Sequence, residues 1–464
     1  MEYTEIYYLD KAFEVENKED QYLLVDYENA NWFRTNETGM MILEKCDGTK
    51  PLDDVVGEIA SAMGFSKEML ESYMNEFINR AIERKVLLKK DEEHVCIGTE
   101  FPDYPNQLWV HVSNRCNMNC PFCYSSSNAE DKYNLVADEV LRFVAQIPEN
   151  QRKEIVISGG EPFLYKEIVA LTKGLKEMGF DTTLITNGTV GHDLYPEVIP
   201  NLGTLQISCD GTTPYYYEHT RGKGNFAKFV ANLDWAKECG MKNLAISFTP
   251  NTFNLENIGE IPQFAYDHGI NHLHITKLTP AGRAQENMDS LAPSFDATDN
   301  GLKILAEKLI EINNRIKTEN ELSEIMMTEK KPFITLSFAR NISRKVIYQT
   351  KITTCSLATG TLSIGYDGFI YPCGNFSSEE YRLGSLKDRI DDVMKKGKEF
   401  AFEHGVESPK MKDCYSCKYK YFCGSGCRVC ALFDGDIYAA DAYCERTKKQ
   451  IYELMWKTEE MSAF

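Results

Sequence analysis

From about residue 107 to 290 short apolar runs alternate with longer stretches whose apolar positions recur at helical spacing. The strand candidates are Leu108–Val112, Glu154–Ser158, Thr183–Thr186, Thr204–Cys209, Leu244–Phe248 and His272–Thr276. Between them, Ala137–Gln146, Ile168–Met178 and Phe226–Cys239 are long enough for helices. Repeated βα units imply a parallel sheet with helices outside it. Six units are too few for a closed eight-stranded barrel, so the pattern predicts an α/β fold with a partial (β/α)6 barrel over residues 105–295.

On either side the pattern changes. Residues 1–95 read as a small α+β unit, with strand-like runs at Tyr7–Val15 and Tyr22–Val25 joined by the polar turn Asn17-Lys18-Glu19-Asp20. Helix signals follow at Gly39–Glu44 and a turn at Cys46-Asp47-Gly48-Thr49. Ser66 is placed to cap a helix carrying Met69, Leu70, Met74, Phe77, Ile78 and Ile82 on one face. Phe101-Pro-Asp-Tyr-Pro105 breaks the periodicity as a linker. Residues 296–345 form a helical bridge, with an amphipathic helix over about 299–317. Residues 346–464 are turn-rich and cysteine-rich, and end in a helix from about Ala442 to Trp456.

Composition sharpens this picture. The chain has 464 residues, 43% hydrophobic and 26% charged, as a soluble globular protein of two or three domains would. No apolar run reaches a membrane span, and the first residues have neither a basic start nor an apolar core of a secretory signal, so a cytoplasmic location is expected. A net charge of -19 argues against nucleic-acid or anionic-membrane partners. Fifteen cysteines in a reducing compartment point to metal or redox chemistry rather than disulfides.

Those cysteines fall into sets. Cys116-x3-Cys120-x2-Cys123 follows the first strand directly, at the end where parallel α/β folds place their chemistry. Three thiolates suit a [4Fe–4S] cube with one iron left open. A zinc site is the alternative, but it needs a fourth ligand; His111 lies within the strand and is poorly placed to be one.

With Phe122 before its third cysteine, this motif resembles the signature of the radical S-adenosylmethionine (SAM) superfamily. Further motifs of that family stand behind successive strands. Gly159-Gly160-Glu161-Pro162 resembles the element gripping the methionine amino group, its glycines allowing close approach and Glu161 accepting from the ammonium. Thr186-Asn187-Gly188-Thr189 follows the third strand, Ser208 and Asp210 resemble the pair that contacts the SAM ribose, and Arg221 matches an arginine near the SAM carboxylate. Pro280-Ala-Gly-Arg-Ala284 resembles a PxGRA element of the same subgroup, and Tyr124 is carried over as a SAM contact. Relatives often have His-Asp shortly before the arginine, where this chain has Tyr217-Glu218. The resemblance implies that the cluster splits SAM to a 5′-deoxyadenosyl radical, the protein supplying orientation and seclusion. No carboxylate, histidine or tyrosine is singled out as a catalytic base.

The second set, Cys355-x12-Gly368-x4-Cys373, then Cys414-x2-Cys417-x5-Cys423-x3-Cys427 and Cys444, resembles the seven-cysteine SPASM pattern; taken alone its C-x2-C pair also suits a zinc ribbon. Asp367-Gly368 signals a hairpin turn. The resemblance implies an outer [4Fe–4S] cluster on Cys414, Cys417, Cys423 and Cys444 and an inner one on Cys355, Cys373 and Cys427, for three clusters in all. Thr361 stands where some relatives supply another inner ligand. Either Cys430 fills that gap or an iron stays open for a substrate thiolate.

Residues 1–90 resemble a PqqD-like recognition element, with a winged-helix-like fold, for ribosomal precursor peptides. Such units bind a leader as an added strand. The order of the three units is that of peptide maturases such as sactipeptide and ranthipeptide thioether synthases, which implies a precursor-peptide partner and a reductant such as flavodoxin or ferredoxin. Carbon–carbon or carbon–oxygen linkage is a competing chemistry. Oxidation of a sulfatase or of a tungsten- or haem-related precursor is another, and a non-enzymatic zinc-binding module is the third reading.

Overall fold

The computed structural model describes residues 4–64, 66–98, 100–130, 135–328, 330–339, 346–376 and 378–457, without the side chains of 67–74 and 325. The amino-terminal unit supplies β1 (Ile6–Leu9), β2 (Glu14–Lys18), β3 (Gln21–Asp26), β4 (Asn31–Asn36), β5 (Asp47–Pro51) and β6 (Leu87–Lys89). The run Tyr7–Val15 is two strands in different sheets, because buried Asp10 takes the Ala12 N–H at 3.0 Å and turns the chain. The expected turn at Cys46–Thr49 is the start of β5, which pairs antiparallel with β1. Asp47 still folds back onto the Thr49 N–H at 2.9 Å. Helix Glu37–Lys45 begins where Asn36 accepts from the Gly39 N–H, a standard cap. In helix Lys67–Glu83, Ile78 is buried and Phe77 and Ile82 pack on the core of this unit. The side chains of Met69, Leu70 and Met74 lie outside the described residues.

The sheet β2–β3–β4 is apolar on both faces. Paired Leu24 and Phe33 point into the unit's own core, whereas Leu23, Val25 and Trp32 point the other way. That second face shares a core with Val346, Val406, Met411, Cys414, Phe422, Ile451 and Met455 of the cysteine-rich region. The Trp32 Nε1–H donates to the Val346 carbonyl at 2.8 Å, and Tyr27 meets Tyr419 edge-on with centroids 5.5 Å apart.

The predicted core strands form as β7 (Gln107–His111), β8 (Glu154–Ser158), β9 (Asp181–Thr186), β10 (Thr204–Ser208), β11 (Leu244–Phe248) and β12 (His272–Ile275), parallel and in sequence order. Helices Ala137–Val144, Ile168–Glu177 and Phe226–Glu238 contribute to the apolar core outside them. Two additions were not predicted. β13 (Thr335–Phe338) pairs parallel to β12, at the end of a stretch expected to be helical. β14 (Thr361–Ile364) of the cysteine-rich region pairs parallel to β7, and β15 (Phe369–Tyr371) and β16 (Gly384–Ser385) continue the sheet antiparallel. The hairpin turns at Asp367-Gly368, as its residues imply, with Gly368 at φ +79°. The bridge helix runs over Phe295–Met326, longer than its periodic segment, capped by Ser294. The final helix is Cys444–Lys457. Among the described residues no helix is long and apolar enough to cross a membrane.

Candidate functional site

The three cysteines behind β7 sit on a loop braced from two sides. The Cys116 N–H donates to the Asn128 carbonyl at 2.6 Å, closing the loop on itself. On the far side, the Gly160 and Glu161 N–H groups donate to the Ser113 and Arg115 carbonyls at 2.7 and 2.8 Å. A Cβ on Gly160 would stand 2.1 Å from the Arg115 oxygen, and one on Gly159 (φ +142°) would stand 2.6 Å from that of Ser113. The glycines therefore let two loops of the protein touch, whereas the motif alone implies close approach to a ligand.

Glu161 is fully buried. Its carboxylate accepts from Thr186 Oγ1 at 2.7 Å and from the Asn187 and Phe163 N–H groups at 2.8 and 3.1 Å. Burial outweighs these donors and pushes its carboxyl up to about 7. A bound ammonium beside it would restore the charged form. Asn187 Nδ2 bonds Asn117 Oδ1 at 2.8 Å and approaches Cys116 Sγ at 3.9 Å. The Met118 N–H points at the same sulfur at 3.4 Å. Such N–H···S contacts suit an iron–sulfur ligand. Burial raises the unligated Cys116 thiol to about 12, so a bound metal must keep the thiolate form.

Arg221 and Asp210 form a buried ion pair, and Asp210 also accepts from the Thr249 N–H at 2.9 Å. Both Asp210 oxygens are thus engaged, and its ordered role here is to aim Arg221, whose guanidinium lies 5.4 Å from the Phe122 ring. Ser208 ends β10, partly exposed, in the register next to Ser247. Tyr217, where relatives carry histidine, is fully buried and stacks on Phe229 at 4.9 Å, while Glu218 accepts from the Phe226 N–H.

Two features of the site were not legible beforehand. Arg283, noted only within a motif, donates Nε to the Cys120 carbonyl at 2.9 Å and Nη1 to that of Ser127 at 2.8 Å. Gly282 lies so close that a Cβ there would be 2.6 Å from the Cys123 oxygen. Helix Arg283–Leu291 thus clamps the cysteine loop. His111, set aside as a ligand, is buried between Trp109, Tyr124 and Gly374, and burial holds its imidazole near 4 and hence neutral. Its Nε2 has no hydrogen bond of good geometry. Through Tyr124, which interacts with both Cys123 and Cys373, and through Gly374, it stands between the first cysteine loop and Cys373.

The cysteines from Cys355 onward separate into two neighbourhoods. Cys373 interacts electrostatically with Cys355 and Cys427, and Cys414 with Cys417, Cys423 and Cys444. Cys430 adjoins Cys427. The hydrogen bond between their sulfurs, then the charge of Lys277, pulls Cys427 toward thiolate against its burial. Residues 424–426 all adopt positive φ, folding Cys423 and Cys427 into different neighbourhoods. No disulfide joins any of the fifteen cysteines. Among the described residues, no three Cys, His, Asp or Glu side chains converge as ligands of one metal ion would; the thiols share neighbourhoods, not a closed coordination sphere.

A family model described as Radical SAM superfamily matches residues 110–265, and one described as Coenzyme PQQ synthesis protein D (PqqD) matches residues 21–87. A probable GTP 3′,8-cyclase of Saccharolobus islandicus is 26% identical over 178 residues, 38% of this chain. The chain spans 58% of the length of that relative. The AdoMet-dependent heme synthase of Methanosarcina barkeri is 25% identical over 350 residues, 73% of this chain and 96% of its own. Among solved structures, Streptococcus suis SuiB bound to precursor peptide SuiA superposes with TM-score 0.55 at 16% identity, covering 95% of this chain and 100% of that one. An anSMEcpe structure with bound AdoMet and Cp18Cys peptide gives 0.53 at 17%, covering 76% and 97%. At these identities the likeness is one of fold.

Proposed function

With a radical SAM core over residues 110–265 and a PqqD-type unit over 21–87 as the premise, we propose that this chain modifies a ribosomal precursor peptide. It binds the leader through residues 1–95 and installs a cysteine thioether cross-link in the core peptide. The observation that carries this reading is the sorting of ten cysteines into three neighbourhoods, with the PqqD-type sheet sharing a core with the outermost. Residues 105–295 are the catalytic core, 296–345 a bridge and 346–464 a SPASM domain.

Cys116, Cys120 and Cys123 hold the cluster that binds SAM. Cys355, Cys373 and Cys427 hold an inner [4Fe–4S] cluster, and Cys414, Cys417, Cys423 and Cys444 an outer one. When bound, cluster and SAM together supply a hydrogen-abstracting radical. The chain's part is orientation. With SAM bound, Glu161, held by Thr186 and the Asn187 N–H, would take its ammonium and Arg221, aimed by Asp210, its carboxylate, with Ser208 and Tyr124 as further contacts. Among the described residues β2 and β4 each have an edge without a partner strand, which suits a leader added as an extended segment. A flavodoxin- or ferredoxin-type reductant in the cytoplasm starts each turnover.

A thioether replaces one C–H and one S–H by a C–S bond. Enzyme, SAM, reductant and cognate precursor should therefore give a peptide two hydrogens lighter per link, with one cysteine lost to alkylation. The same mass loss with every cysteine still alkylated would mean carbon–carbon or carbon–oxygen linkage instead. SAM cleavage with no change in the peptide would defeat the proposal.

A further inference from the structure

Cys430 is 1% exposed and lies one helical turn beyond Cys427, which caps helix Arg428–Phe433. The two sulfurs are in hydrogen-bonding contact. The Cys427 backbone is fixed by its N–H donating to Asp441 Oδ2 at 2.7 Å. The Cys430 sulfur is met from the core side by Lys277, just past the end of β12, whose Nζ donates to it at 3.1 Å. The same ammonium sits 3.5 Å from the centroid of the Tyr443 ring. Among the described residues no Asp or Glu pairs with Lys277. Lys277 is thus an N–H donor to a buried sulfur that adjoins Cys427, the kind of contact a cluster thiolate receives. A cysteine that merely filled space would need no such donor.

We propose that Cys430 is the fourth thiolate ligand of the inner cluster, with Lys277 as its N–H donor and counter-charge, so that no iron of that cluster is open to substrate. This rests on the reading that Cys355, Cys373 and Cys427 hold a [4Fe–4S] cluster. The cysteine of the peptide then reacts without an iron to hold it.

The test uses the full chain with Cys116, Cys120 and Cys123 replaced by alanine, reconstituted anaerobically and kept in thiol-free buffer. About eight irons per chain are expected, two cubes. The electron paramagnetic resonance of the reduced parent should not move when 2-mercaptoethanol is added. That of Cys430→Ala should move, because the vacated iron takes the added thiol. Loss of about four irons from Cys430→Ala, recovered in Cys430→Ser, would equally support ligation. Lys277→Met should leave the iron count unchanged and shift the inner cluster to a lower potential, since N–H···S donation raises it. A parent signal that responds to thiol, a Cys430→Ala spectrum identical to the parent's with and without thiol, or an unmoved potential in Lys277→Met would overturn the assignment. A parent binding zinc, or only about four irons, would defeat the two-cluster reading itself, and with it this inference, before any change at Cys430.

Discussion

Glu161, the proposed partner of the SAM ammonium, is a buried carboxyl whose titration burial shifts upward. Its folded pKa, pushed by burial to about 7, lies above the ordinary value of 4.5. Between those values the folded chain holds a proton the unfolded chain has lost, so stability falls as pH rises through that window and levels off above about 7. The melting temperature of the unliganded chain should thus drop between pH 5 and 7.5, and Glu161→Gln should flatten this component. SAM binding should follow the opposite slope, strengthening over the same range as the carboxylate forms. An affinity that is flat in pH in the native chain, or a slope unchanged in Glu161→Gln, would count against this role. The GGEP motif made Glu161 legible in the sequence. Its donors were not, because Thr186 and Asn187 come from a different strand end and only the parallel register of β8 and β9 brings them across.

At the level of elements, the loop bearing Cys116, Cys120 and Cys123 is shaped by neighbours more than by its own sequence. Arg283 bonds two of its carbonyls, and removing a group that orients metal ligands typically costs about 10–100-fold in metal affinity. Arg283→Ala should accordingly lose iron from this loop to a chelator faster than the native chain, while the other two sets keep theirs. Arg283→Lys should rescue it poorly, since one ammonium cannot reproduce the planar fork. Equal iron retention in all three proteins would show that the clamp is dispensable. The strand order β7 to β12 was readable because alternating βα units have one favoured way to wind. The places of β13 and β14 in that sheet were not: β14, although its hairpin turn is signalled by Asp367-Gly368, joins β7 across more than two hundred residues of chain, a pairing no local pattern encodes. The split of Tyr7–Val15 was hidden for another reason. Asp10 reads as a polar interruption on a strand face, and only its burial and bond to the Ala12 N–H make it a turn.

Taken whole, the molecule joins its ends. Trp32 is 1% exposed in an apolar cluster built from both the amino-terminal sheet and the cysteine-rich region. Trp32→Ala should cost about 3–5 kcal/mol of stability. Hydrogen exchange should then rise both in β2–β4 and around residues 406–423; a rise confined to β2–β4 would mean that the two regions unfold independently. The shared core carries a practical lesson for anyone who would treat the first ninety residues as an interchangeable cassette. Grafting another recognition unit onto this chain would leave Val346, Tyr419, Phe422 and Met455 facing water unless the newcomer brought counterparts of Leu23, Val25, Tyr27 and Trp32. On the proposed reading, in which the leader adds to the open strand edges, substrate range is retuned more safely by resurfacing those edges than by exchanging the unit that bears them.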